Sequence, residues 1–324
     1  MSAGSIPYQL RPNKAVDRLL FFELCNRLAR YLSIESEYQY IGFGGPQMED
    51  FRILHERFQR LPMLSIESLA AVIPRQRFNC PHTMVSIASV PQTSDEFLTD
   101  WEPTQAVILW FDYASKSERN DQIAEFQTIL AKAQPRSILR ITMNADPPGG
   151  ENKKPEDVFK AFKSQFSQLM PYGATSKDMT AGKFPAVLLK MLEMAAAQVL
   201  QPAGDFTFKP LLITDYRDST RMITLAGIKA SSSEVQQIVT QCLLEDWPYL
   251  AKDWQAVQRI NMPELTIKER IFINQLLPNA IGNASDIQAK LGFQLDEDAN
   301  LSLEKIKNYT EFYRHFPQFG RVAI

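Results

Sequence analysis

Tyr38-Gln39-Tyr40-Ile41-Gly42-Phe43-Gly44-Gly45-Pro46-Gln47-Met48-Glu49-Asp50-Phe51 reads as a strand, a glycine turn and the start of a helix; Leu64-Ser65-Ile66-Glu67 follows as a second strand closed by a carboxylate. Glycine lets backbone pass close to a ligand because no Cβ stands in the way. A helix beginning at Pro46 would aim its unpaired N–H groups into the same space. Glu67, about 25 residues beyond Gly42, is placed to accept hydrogen bonds from both hydroxyls of a ribose. Together these features imply an adenosine-type cofactor.

Working outward, Val16, Leu20, Leu24 and Leu28 recur at helical spacing after Pro12-Asn13 and predict a helix with one buried stripe. Phe51, Leu54 and Phe58 predict the helix that joins the first two strands. Thr83–Ile87 supplies a third strand. Ala106–Phe111 is a continuous apolar run of the kind found at a sheet centre, with Asp112 at its carboxyl end. Ser115-x-x-Glu118 fits a capping box opening a helix that runs to about Lys132. Ser137–Met143 is a fifth strand, stopped by the Pro- and Gly-rich Asn144–Gly150. A helix near 155–169, a link through Gly173 and Gly182, and an apolar helix from about Ala186 to Leu200 come next. Leu211–Tyr216 and Arg221–Ala226 read as an antiparallel hairpin.

Five strands alternating with helices and closed by a hairpin imply a three-layer α/β fold. Its sheet is mostly parallel and Rossmann-like, with an N-terminal helix and a helical C-terminal appendage. The expected boundary lies at 230. Residues 231–324 are read as mainly helical, with helices opening near Ser231–Glu234, Leu265–Arg270 and Ser302–Glu304. Ala284–Phe293 superficially matches part of a helix-turn-helix, but without a basic recognition face it is expected to serve packing or homo-oligomerisation.

Composition narrows the function. A net charge of −2 argues against a general nucleic-acid surface, which needs an excess of Lys and Arg, and leaves nucleic acid only as a locally recognised substrate. The apolar runs are too short to span a bilayer, and Met1–Ser5 lacks the regions of a signal peptide, so a cytoplasmic protein is expected. Three scattered cysteines suggest neither a disulfide framework nor a zinc cluster. Cys80-Pro81-His82 is either a partial metal site or an incidental loop.

The strand order and the Gly42-x-Gly44-Gly45 turn with Glu67 resemble class I S-adenosylmethionine-dependent methyltransferases. Leu10–Arg18 and Ile41–Phe51 look more narrowly like a group of prokaryotic O-methyltransferases. The resemblance covers roughly residues 10–230 and implies S-adenosylmethionine as cofactor. It places Gly42, Gly44 and Gly45 beside the methionine moiety and Glu67 on the ribose. Two positions depart from the family pattern. Tyr40 stands where an acidic residue would meet the cofactor ammonium. Ser86, Ala88 and Ser89 replace the Asp that would bind the adenine amino group, leaving Ser86 and Ser89 as the candidate contacts.

Each candidate has a structural alternative. The glycines could simply make a tight turn, and Glu67 could cap a helix. Arg11, Asn13 and Lys14 could reach a ligand, or Asn13 could cap its helix. Asp112 is the candidate for general base or for orienting a nucleophile, because ligands bind outside the carboxyl ends of strands in open α/β sheets. Tyr113 would stack on a planar acceptor or pack. Asn144 and Asp146 resemble an interrupted form of the Asp-Asn pair that holds Mg²⁺ in metal-dependent O-methyltransferases, or they make a turn.

Three functions follow. The first is a methyltransferase acting on an oxygen of a small or macromolecular acceptor. The second is a silent adenosine-ligand sensor or assembly subunit. The third, a nicotinamide oxidoreductase, is weakened by Gln47 in the place of the third glycine.

Overall fold

The computed structural model describes residues 11–80, 85–149, 154–201 and 204–317. Thr83 and Met84 of the expected third strand, and Pro81-His82 of the candidate metal loop, lie outside them. The described chain forms two compact units. The first comprises Phe21–Asp215 and Thr220–Gln258; the second comprises residues 11–20, Tyr216–Ser219 and 259–317.

The sheet contains β1 (Tyr38–Gly42), β2 (Met63–Ser65), β3 (Val85–Ile87), β4 (Ala106–Asp112), β5 (Ile138–Asn144), β6 (Phe206–Arg217), β7 (Arg221–Ser231) and β8 (Gln258–Ile260). Its order is β3-β2-β1-β4-β5-β7-β6-β8. β1 to β5 run parallel, and β7 is antiparallel to β5, pairing Ile138 with Ile228 through to Asn144 with Met222. The parallel strands therefore end on one edge. That edge is where the expected site residues fall.

Strand composition explains the centre. β5 is buried throughout and β4 over its five middle residues, as a strand covered on both faces must be. Val107, Leu109 and Phe111 join a core with Ile123, Phe126 and Leu130 of α6 (Arg119–Lys132) and Leu188, Met191 and Leu192 of α8 (Phe184–Leu200). On the alternate positions, Trp110 meets the edges of Phe21 and Phe22 from α1 (Pro12–Leu28). The Arg140 guanidinium lies 3.9 Å from the Trp110 ring centre and 4.4 Å from that of Phe21. This gives a buried cation two aromatic faces.

Several helix starts differ from expectation. α3 spans Glu49–Arg57 rather than opening at Pro46, because Gly45 and Met48 both take φ near 54° and break the helical run. α6 opens at Arg119: Ser115 Oγ pairs with Ser117 Oγ and Gln122 donates to the Ser115 carbonyl, so the capping box does not form. Capping boxes occur instead at Thr93/Glu96, before α5 (Ser94–Asp100), and at Thr266/Glu269, before α10 (Ile267–Leu276). Asn13 is not a cap. It sits inside α1, and the Asp218 carboxylate accepts from the backbone N–H of Asn13 and Lys14. The Asn13 amide donates to the Arg217 carbonyl at 2.7 Å, while its oxygen accepts from Met262 N–H at 2.7 Å.

In the second unit α10 is followed by α11 (Ala284–Leu291), closed by Gly292 at φ 80°, and α12 (Ala299–Phe312). Buried Ser302 donates to Gln288 and accepts from Leu295 N–H, tying α12 to α11 and the loop between them. Among the described residues no helix is long and apolar enough to cross a membrane.

Phe126 is 1% exposed and meets Phe208 edge-on at 5.6 Å. Phe126→Ala is expected to lower the unfolding free energy by about 3–5 kcal/mol. Urea titration checks this, as a lower midpoint at unchanged slope.

Candidate cofactor and acceptor site

The site is built on strand ends. Gly42 pairs with Ser65 of β2 on one side and Trp110 of β4 on the other, while Ser65 pairs with Ile87 of β3 and Asp112 with Thr142 of β5. Backbone bonds extend the alignment: Ile66 N–H to Gly42, Ala88 N–H to Ser65 and Gln92 N–H to the Glu67 carbonyl. The loops after β1, β2 and β3 are thus held against one another.

Two glycines have local packing reasons. A Cβ on Gly42 would lie 2.7 Å from the Tyr40 hydroxyl, so the ring of buried Tyr40, edge-on to Phe51, requires glycine there. A Cβ on Gly44 would stand 2.6 Å from Ser65 Oγ and closer still to the sulfur of buried Met48. Both distances are shorter than carbon tolerates. Gly45 holds φ 54°, where a side chain is strained. The turn is therefore compact by construction, and its glycines are needed with or without a ligand.

Gly44 N–H donates to Ser65 Oγ at 3.2 Å, Ser65 Oγ donates to Gln76 Oε1 at 3.1 Å, and Gln76 Nε2 donates to Glu67 Oε2 at 2.9 Å. Leu69 N–H donates to the other Glu67 oxygen at 2.9 Å. Each carboxylate oxygen retains acceptor capacity for a further donor. The structure thus brings Gly42, Gly44, Gly45 and Glu67 to one region of the sheet edge. Ser89 lies beyond β3 in an open groove of about 630 Å³, lined by Gln92, Asp95, Glu96 and Thr99 among others. Ser86 sits mid-strand opposite Leu64, one residue before the strand's end, with an exposed side chain.

Asp112, half-buried, closes β4 beside these loops. Phe43 stacks on Phe111 at 4.7 Å, and Tyr113 meets both rings edge-on. Tyr113 is buried and its hydroxyl donates to Glu125 of α6. Burial pushes the Tyr113 phenol well above its ordinary range and also raises the Glu125 carboxyl.

Asn144 makes a turn: its side-chain oxygen accepts from Asp146 N–H at 3.0 Å and its amide donates to the Ala114 carbonyl at 3.1 Å. Buried Arg119 donates to the Asn144 carbonyl at 3.0 Å and to the Asp146 carbonyl. Its guanidinium lies 4.8 Å from the Phe184 ring centre, and burial brings its pKa down to about 10.

The residues missing from the sequence reading are Ser65, Gln76 and Asn79. Gln76 and Asn79 lie on α4 (Ile73–Asn79), a short helix whose one sequence signal is Pro74 in its first turn. Asn79 donates to the Pro46 carbonyl at 2.8 Å.

This sheet order, with the glycine turn after β1 and the carboxylate after β2, defines a Rossmann-like methyltransferase fold. The chain matches the family described as "Putative O-methyltransferase" over residues 6–324, and it belongs to that family. Family and fold together place it among methyltransferases. None of the curated proteins matches it in sequence. Among solved structures, the plantazolicin methyltransferase BamL, in complex with a desmethyl plantazolicin analogue and SAH, is similar at 10% identity. That likeness covers 68% of this chain and 88% of BamL, with a TM-score of 0.42. A "putative O-methyltransferase" from Klebsiella pneumoniae is similar at 10% identity over 70% of this chain and 83% of its own, with a TM-score of 0.39. The S-adenosylmethionine-dependent methyltransferase SibL, in its apo form, is similar at 11% identity, over 65% of this chain and 56% of its own, with a TM-score of 0.33. The family assignment rests on the family match over residues 6–324.

Two outcomes test the geometry. Gly44→Ala should cost about 1–3 kcal/mol through overpacking, read by denaturant unfolding. For Glu125, the folded carboxyl holds its proton to higher pH than the unfolded one, whose ordinary value is 4.5. Its contribution to stability is therefore complete below pH 4.5 and is lost as pH rises through the raised folded value. Glu125→Gln is expected to remove that downward slope from a stability–pH series.

Proposed function

We propose that this chain transfers the methyl group of S-adenosylmethionine to an oxygen nucleophile, with the cofactor seated across the carboxyl ends of β1 and β2. The observation that supports it best is the hydrogen-bonded run from Gly44 through Ser65 and Gln76 to Glu67, which holds a carboxylate beside a tight glycine turn. The residues fit an adenosyl group: Glu67 has acceptor capacity left for a ribose diol, and the groove holding Ser89 opens beyond β3. Gly42, Gly44 and Gly45 would border the methionine moiety, and Ser86 and Ser89 would serve the adenine side.

The bound cofactor supplies an already activated methyl group on a sulfonium. The protein's task is then alignment of the nucleophile with the carbon–sulfur bond. Asp112 is assigned the acceptor hydroxyl, as general base or as orienting acceptor. Tyr113 is assigned a wall: its hydroxyl is committed to Glu125 and its ring to Phe43 and Phe111. Asn144 and Asp146 are assigned the turn that their hydrogen bonds form.

A cytoplasmic location belongs to this reading, supported by three free cysteines, of which Cys25 and Cys242 are buried. The prokaryotic assignment is supported by the resemblance of Leu10–Arg18 and Ile41–Phe51. The acceptor is proposed to be other than bulk nucleic acid, given the net charge of −2. Self-association through the C-terminal helices is proposed as well.

Tyr40 supports a second reading, a binding subunit without transfer. Its phenol fills the place of the acid that would meet the cofactor ammonium and lies along β1 over Gly42. Calorimetry with S-adenosylmethionine, its demethylated product and NAD tests the first reading, which expects binding of the first two and not of NAD. Methyl transfer to a mixed acceptor pool should then fall about 100-fold or more in Asp112→Asn. Binding without transfer in the wild type selects the sensor; unchanged transfer in the variant removes Asp112 from its role.

A further inference from the structure

Gln76 is completely buried although it lies on a seven-residue helix at the rim of the sheet. Burying a primary amide is costly unless both of its ends are bonded. Here they are. Nε2 donates to Glu67 Oε2 and Oε1 accepts from Ser65 Oγ, itself completely buried.

The direction of this chain is forced. A carboxylate can only accept, so the Gln76 NH₂ must face Glu67. The amide oxygen of Gln76 then faces Ser65 Oγ, which accepts from Gly44 N–H and gives its proton to that oxygen. A flipped amide would set a carbonyl oxygen against a carboxylate. One turn further along the same helix, Asn79 donates to the Pro46 carbonyl, so α4 braces the glycine turn at a second point.

We propose that Gln76 is a positioning residue for nucleoside recognition: through Ser65 it couples the glycine turn to Glu67 and fixes the rotamer in which that carboxylate meets a ribose cis-diol. The proposal rests on the reading of this edge as the S-adenosylmethionine site. It assigns α4 a part in selecting ribose over deoxyribose ligands. Without Gln76, Glu67 loses that side-chain donor and, among the described residues, keeps Leu69 N–H on the other oxygen. The carboxylate is then free to turn away from the diol.

The test is calorimetry on the full chain with S-adenosylhomocysteine and its 2′,3′-dideoxy analogue, comparing wild type with Gln76→Leu and Gln76→Glu. Circular dichroism verifies the fold of each variant. Wild type should bind the ribose ligand about 10- to 100-fold tighter than the dideoxy analogue, the range for hydrogen bonds to a charged group. Gln76→Leu should lose at least about tenfold on the ribose ligand and less than about twofold on the analogue, so that the preference collapses. Loss of affinity for both ligands alike would mark a merely structural role and overturn the proposal, as would a preserved preference.

Gln76→Glu keeps the shape and guards against misfolding of the leucine variant. It sets two carboxyl groups face to face, so one proton must sit between them. Its affinity for the ribose ligand should fall as pH rises from 5 to 8, a dependence absent from wild type. A flat, wild-type-like profile would overturn the proposal. Failure of wild type to bind S-adenosylhomocysteine would overturn the underlying cofactor reading, and is distinguishable because it appears before any variant is made.

Discussion

The close approach of the Gly44 backbone to Ser65 is the contact on which this region depends. It brings the turn after β1 onto the end of β2, leaves no room for a Cβ at position 44, and starts the hydrogen-bond chain that ends on Glu67. Parallel pairing supplies the frame: β1 lies between β2 and β4, so residues at three consecutive strand ends are carried to one edge. Chemistry at that edge is then a matter of which side chains the loops present.

The layer beneath is built for rigidity. Apolar positions of β4 alternate between the α6/α8 core and the Phe21–Trp110–Arg140 cluster, so β4, which ends in Asp112, is packed on both faces. The Tyr113–Glu125 bond and the Arg119 bonds to the Asn144–Asp146 turn fasten the loops after β4 and β5 to α6. A reaction that depends on alignment is served by such fixed supports.

Much of the fold was legible in the sequence because the continuous apolar runs of β4 and β5 and the glycine punctuation after β1 are strong local signals. The α6 start is not legible locally: Ser115 and Glu118 match a capping box in spacing, while the competing bonds of Ser115 to Ser117 and Gln122 are invisible to a local pattern. The α3 start is hidden for another reason, since Met48 adopts a left-handed conformation that methionine rarely takes. Asn13 resembled a cap, but Asp218 supplies that function across 204 and more residues. Ser65 and Gln76 escaped notice for a related reason: a buried serine and a buried glutamine gain meaning only through partners that folding brings near.

The central claim is that an adenosyl cofactor lies across the β1 and β2 ends with its ribose on Glu67. A crystal structure of the full chain with S-adenosylhomocysteine measures this directly. Both ribose hydroxyls are expected within about 3.2 Å of the Glu67 carboxylate oxygens, with Gln76 still donating to that carboxylate. A ligand bound elsewhere, or bound here with its ribose turned away from Glu67, would contradict it.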